Sequence, residues 1–197
     1  MNRDDHVTEI YACSILEEEL RHLYGDEVKR GVVHFIDSRL HMRPEELRKT
    51  IRKELETGAE ATGKVLVYGD CHAYMEDDTD GNTVRTKGLN CIELVLGKRM
   101  YQILRREGAF FLLPEWTHRW RTIFQTELGL TSAEMTRAFM GDMHRKLVFL
   151  DTGVVPVPTD VLQQIKAYVD LPLEIRSVEL SHLKKVVDMA LEEAEKA

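Results

Sequence analysis

The sequence predicts an α/β fold: a doubly wound, mostly parallel sheet with helices on both faces. Three observations carry that expectation. Short β-branched runs alternate with amphipathic stretches along the whole chain, the pattern of parallel strands joined by right-handed crossovers. A run such as Val65-Leu66-Val67-Tyr68 is apolar at every position, as in a strand buried on both faces. The length of 197 residues, 43% hydrophobic and 31% charged, suits one domain with a full core. We therefore expect a single domain over residues 1–197, with the stretch from about residue 109 as a candidate second lobe.

The elements follow in order. Residues 7–12 form the first strand. Residues 16–24 form a helix with Leu16, Leu20, Leu23 and Tyr24 on its apolar face and three glutamates in its first turn, where the helix dipole favours them; Gly25 ends it. Residues 31–36 are the second strand and 37–42 a loop. Pro44 opens a long helix with Leu47, Ile51 and Leu55 every four residues, and Gly58 and Gly63 close it. Residues 65–68 are the third strand. The acidic segment 75–82 is a surface loop; it lacks the EF-hand's sixth-place glycine and twelfth-place glutamate. Asn90 caps a helix that begins at Cys91 and runs to Gly108. A strand at 109–113 ends at Pro114. One helix carries Trp116, Trp120, Ile123 and Phe124 and closes at Gly129. A Met-rich helix follows Thr131-Ser132, with Met135, Met140 and Met143 beside Phe139. Its pliable face suits packing or a contact between copies, hence a homo-oligomer. Residues 147–150 are a strand ending in Asp151-Thr152-Gly153, 161–169 a helix, 173–180 a stretch with a short strand, and 182–197 a charged terminal helix.

Bulk properties narrow the function classes. The net charge is −7 with no basic stripe, so neither nucleic acid nor an anionic membrane is an expected partner. No apolar run approaches the ~20 residues that span a bilayer. The amino terminus leads into a strand without a signal-peptide pattern. Three cysteines, an odd number, argue against a disulfide framework and for free or metal-bound thiols in the cytoplasm. No GxGxxG, Walker loop, HExxH or GxSxG is present, so nucleotide binding, zincin proteolysis and serine hydrolysis lack their usual marks.

The cysteines concentrate the chemistry. Cys13 follows the first strand, Cys71 follows the third, and Cys91 opens a helix. Open α/β sheets bind ligands at that edge, and strands one and three are commonly neighbours there. Thiolates are preferred ligands of zinc and of iron–sulfur clusters. His72, beside Cys71, and His41, after strand two, could supply a fourth ligand. Two other readings stand beside a shared metal: cysteines that only fill space, or Cys91 or Cys71 as a nucleophile with His72 or His41 as base. Glu115 and His118 follow one strand end and Asp151 ends another, so they are pocket candidates. His34, inside an apolar strand, fits a hydrogen-bonded core histidine. Asp142 and His144 fit surface groups, and the two tryptophans fit core or interface anchors.

Five short segments carry a resemblance: Ala12-Cys13-Ser14-Ile15-Leu16, Arg39-Leu40-His41-Met42-Arg43-Pro44, Tyr68-Gly69-Asp70-Cys71, Asn90-Cys91-Ile92-Glu93-Leu94-Val95-Leu96-Gly97 and Leu113-Pro114-Glu115-Trp116. Together they resemble the domain of unknown function 1638 family, from about residue 7 to residue 153. The family pattern matches Cys13, Cys71, Cys91, His41 and Pro44. It has glycine after the second cysteine, where this chain has His72. The resemblance implies a shared thiolate site. It also points to methanogens and other anaerobes with corrinoid-dependent methyl transfer, and so to corrinoid methyl-transfer or redox proteins as partners. The resulting expectation is a cytoplasmic protein holding a cysteine-ligated iron–sulfur cluster of the site-differentiated 4Fe-4S type through Cys13, Cys71 and Cys91, with a redox or accessory role in one-carbon metabolism. Zinc on the same thiolates, activating a thiol or water, is the alternative, and a metal-free interaction protein is the third.

Overall fold

A computed structural model describes residues 7–58, 61–79 and 81–196. The expected amino-terminal lead-in at residues 1–6, Asp80 of the acidic loop and the last residue of the terminal helix, Ala197, lie outside the described residues. The chain divides into two compact units, Met1–Val95 with Leu180–Ala197, and Leu96–Glu179. Each has its own parallel sheet flanked by helices, so the fold is α/β and doubly wound in type.

The first unit opens with β1 (Thr8–Cys13), a 3-10 turn (Ser14–Leu16), α1 (Glu17–Leu23) and α2 (Gly25–Lys29). Next come β2 (Val33–Ile36), a 3-10 turn (Ser38–Met42), α3 (Pro44–Thr57) and β3 (Gly63–Val67). A 3-10 turn (Glu76–Asp78), β4 (Thr83–Arg85) and α4 (Cys91–Leu96) complete its first stretch of chain. The strand order is β2-β1-β3-β4, all parallel. Ile10 lies opposite Val33 on one side and Val65 on the other, and Cys13 pairs with Ile36. The ends of β1, β2 and β3 therefore share one edge. Every residue of β3 is buried, as its unbroken apolar run predicts.

Local chemistry sets the boundaries. The Asp37 carboxylate accepts the Arg39 N–H at 2.9 Å and starts the turn after β2. Pro44 begins α3, where its missing N–H costs nothing. Asn90 caps α4, its Oδ1 accepting the Glu93 N–H at 2.9 Å.

The second unit holds α5 (Lys98–Arg106), β5 (Ala109–Leu112), α6 (Pro114–His118), a π-helix (Thr122–Glu127), α7 (Ala133–Met143), β6 (Lys146–Asp151), α8 (Thr159–Val169) and β7 (Leu173–Ser177). Its sheet order is β5-β6-β7, also parallel. Trp120, Ile123, Phe124, Leu147, Phe149 and Leu162 are part of its core. The chain then returns to the first unit as α9 (Ser181–Ala194), which packs on β3 and β4 with Leu183 and Val187 fully buried.

Three differences from the sequence expectation have local causes. The helix expected from Cys91 to Gly108 breaks at Gly97, whose φ of 75° and ψ of 153° stop α4 and start α5. The helix expected around the two tryptophans is split into α6 and a π-helix. The chain after the acidic loop adds the three-residue strand β4, too short to leave a periodic signature.

Candidate metal centre

The shared edge of the first sheet gathers the three thiols. Cys13 is the last residue of β1, 6% exposed; Cys91 is the first of α4, 8% exposed; Cys71 lies in the turn after β3 and is partly exposed. All three are free cysteines. Cys91 is within side-chain hydrogen-bonding reach of Cys13 and of Cys71, and Cys71 is in turn hydrogen-bonded to His41 from the turn after β2. The groups thus contact in series: Cys13, Cys91, Cys71, His41. Among the described residues, no group of three or more His, Cys, Asp or Glu side chains is arranged around one point as a metal-ion site.

Backbone contacts hold this series in place. The Ser38 N–H donates to the Ser14 hydroxyl at 2.9 Å, tying the turn after β2 to the turn after β1. The Asp70 N–H donates to the Leu89 carbonyl at 2.9 Å, and Arg85 pairs with the Asp70 carboxylate at 2.9 Å. Gly69 makes the approach feasible: a Cβ there would lie 2.3 Å from Asn90 Cα and 2.4 Å from Asn90 N. No residue but glycine lets the turn bearing Cys71 rest against the backbone just before Cys91.

The electrostatics follow from these contacts. Hydrogen bonding from Cys91 pushes the Cys71 thiol down to about 5; burial opposes this and His41 reinforces it. Cys91, enclosed and hydrogen-bonded to Cys13 and then Cys71, is pushed well above the ordinary thiol range, with burial adding to the effect. His41 is raised by its hydrogen bond to Cys71, against the opposing effect of burial. Cys71 is thus lowered and Cys91 raised within one interacting group that titrates together. Just beyond β3 stands Tyr68, 1% exposed, its hydroxyl raised well above the usual phenol range by burial and then by Cys13, Cys91, Cys71 and Asp37.

The remaining site candidates have other partners or surroundings of their own. His72 is buried, and its Nδ1 accepts the Tyr74 N–H at 3.2 Å within the turn that follows Cys71. Glu115, His118 and Asp151 belong to the second unit. There Glu115 is paired with Arg119, His118 is exposed at the end of α6, and Asp151 accepts the Gly153 N–H at 3.0 Å. The sequence reading did not single out Tyr68 or Asp37 as site groups. Their positions at the ends of β3 and β2, on the edge shared with Cys13, were the available signal.

The profile of one family, described as a protein of unknown function (DUF1638), matches residues 35–187. The matched stretch contains His41, Tyr68, Cys71 and Cys91 and begins after Cys13. No curated protein and no solved structure matches the chain. The chain belongs to the DUF1638 family.

Proposed function

We propose that this is a metal–thiolate protein in which Cys13, Cys71 and Cys91 hold a single zinc ion, with His41 orienting the Cys71 sulfur through their hydrogen bond. One observation carries the reading: a buried thiol, Cys91, lies within hydrogen-bonding reach of two other free thiols brought from distant parts of the chain. Thiol contact also favours one ion over the iron–sulfur cluster expected from the sequence. Sulfurs on one tetrahedral ion at a Zn–S distance of ~2.3 Å stand ~3.8 Å apart, about the contact distance of hydrogen-bonded thiols. Cluster thiolates each cap a different iron and are held farther apart. A zinc ion on three thiolates supplies an open position at which a thiol or water is held deprotonated. Such a centre suits an accessory role in methyl transfer or redox chemistry of one-carbon metabolism, with corrinoid or redox proteins as partners.

A second reading is favoured by the hydrogen bond between His41 and Cys71: a metal-free protein in which Cys71 is the nucleophile and His41 its proton partner. Elemental analysis and thiol titration of protein purified without oxygen separate the readings. One zinc per chain, no absorption near ~400 nm, and loss of the zinc in Cys13→Ser, Cys71→Ser and Cys91→Ser are expected. A brown protein with that absorption gives the cluster instead. Metal-free protein in which Cys71 alkylates first gives the nucleophile. Three thiols that titrate alike leave only packing.

A further inference from the structure

We infer that β7 is the pairing edge of a homodimer, in which two copies join their second-unit sheets antiparallel about a two-fold axis through Ile175. The inference is independent of the metal–thiolate reading.

The register leaves this edge open. β7 is the last strand of β5-β6-β7 and, among the described residues, pairs only with β6. The Leu147 N–H donates to the Pro172 carbonyl and the Val178 N–H to the Asp151 carbonyl, each at 2.8 Å. Backbone polar groups alternate in direction along a strand, so residues 172, 174, 176 and 178 turn theirs toward β6. The N–H and C=O groups of Leu173, Ile175 and Ser177 point the other way, off the sheet. Ile175 is 47% exposed, and Ser177 is exposed as well. Such a row of backbone groups is a template for another strand.

The charges select a second copy of this chain as that strand. In antiparallel pairing centred on Ile175, Ile175 faces Ile175 of the other copy and Leu173 faces Ser177. These are hydrogen-bonded pairs that exchange both N–H···O bonds. Glu174 of each copy then lies across from Arg176 of the other, at the non-hydrogen-bonded positions where Cα atoms approach to ~4.5 Å. Within one copy the two side chains share a face, 2.6 Å apart and each about a third exposed, at 32% and 34%. Opposite charges across a ladder stabilise it, and like charges weaken it. The order Glu174-Ile175-Arg176 is therefore complementary to itself reversed. Edges protected against pairing carry lysine or proline, and β7 has neither within Leu-Glu-Ile-Arg-Ser. Met100, 36% exposed, extends this surface beside Arg176, its sulfur 3.9 Å from the guanidinium.

The test is sedimentation equilibrium of the full chain across a concentration series. The wild type is expected to form dimers reversibly and nothing larger, because two-fold pairing uses up the edge of both copies. Glu174→Arg sets arginine opposite arginine, and Arg176→Glu sets glutamate opposite glutamate. Each should raise the dimer dissociation constant about 30-fold, with two pairs turned from opposite to like charge. An equimolar mixture of the two variants restores opposite charges at both positions and should dimerise as tightly as the wild type. That rescue is particular to the register centred on Ile175, and loss of folding cannot imitate it. Ile175→Lys, at an exposed position, should abolish the dimer with an unchanged circular dichroism spectrum, and it decides the matter if a charge variant does not fold. A wild type that stays monomeric, or one that builds larger assemblies, overturns the inference. So do charge variants that fail to pair when mixed. A dimer indifferent to all of these variants also overturns it, and would turn attention to the exposed Met135, Phe139 and Met143 of α7.

Discussion

Gly69 is the residue on which the geometry of the thiol group turns most sharply. Its hydrogen faces the backbone of Leu89 and Asn90 at distances no Cβ tolerates, so it fixes how near the turn carrying Cys71 comes to the start of α4. Gly69→Ala should destabilise the first unit by about 1–3 kcal/mol, the usual range for forced overpacking. On the zinc reading proposed above it should also lower metal content below one per chain, with thermal melting and elemental analysis of the same sample as the measurements. A variant with full metal and an unchanged melt would mean that the turn can shift without moving Cys71. The thiols themselves were legible in the sequence, because cysteines at strand ends and helix starts fall on one rim in a parallel sheet. His41 was legible as one of two candidates, but its contact with Cys71 depends on the 3-10 turn Ser38–Met42, whose shape no local pattern announces. The place of Tyr68 beside the thiols was invisible, because an aromatic residue ending a buried strand reads as core.

At the level of elements, β6 and β7 carry a cross-strand charge group. The Lys146 ammonium lies 2.7 Å from both Glu107 and Glu174, and Arg176 lies 2.6 Å from Glu174. Lys146 holds the Glu174 carboxyl below its ordinary value of 4.5, with Arg176 reinforcing the effect; Glu107 and then Glu174 hold the Lys146 ammonium above 10.5. A depressed carboxylate contributes stability above its unfolded value and loses it as pH falls through its folded value. The advantage of wild type over Glu174→Gln should therefore be full above pH 4.5 and shrink under acid, where the carboxylate protonates. These side chains are partly exposed, so the difference should stay within about 1 kcal/mol. Melting curves collected from neutral to acidic pH check this, and a difference that grows under acid would reverse the sign. The strand β6 was legible from its apolar run Leu147–Leu150, whereas β7, Leu-Glu-Ile-Arg-Ser, has no such run and was read only as a short strand within 173–180. The break at Gly97 was not legible, since apolar residues continue on both sides of it, Ile92, Val95 and Leu96 before and Tyr101, Ile103 and Leu104 after.

On the scale of the whole molecule, the first unit is built from two stretches of chain, with residues 96–179 between them. Its closing piece, α9, buries Leu183, Val187, Ala190 and Ala194. The amphipathic period of that helix predicts its existence, but nothing in the period says which sheet it covers. The number of units was therefore less legible than the fold class. Leu183→Ala should cost about 2–5 kcal/mol. It should also raise the reactivity of the three thiols toward an alkylating reagent in metal-free protein, because the unit that shelters them loosens. Unchanged thiol reactivity in a destabilised Leu183→Ala variant would uncouple α9 from the site. The order of the pieces has a consequence for biosynthesis. A ribosome releases Cys13, Cys71 and Cys91 before residues 96–179, and the helix that packs on β3 and β4 only after them. Each nascent polypeptide therefore carries those thiols on an incomplete unit for as long as residues 96–179 are being made.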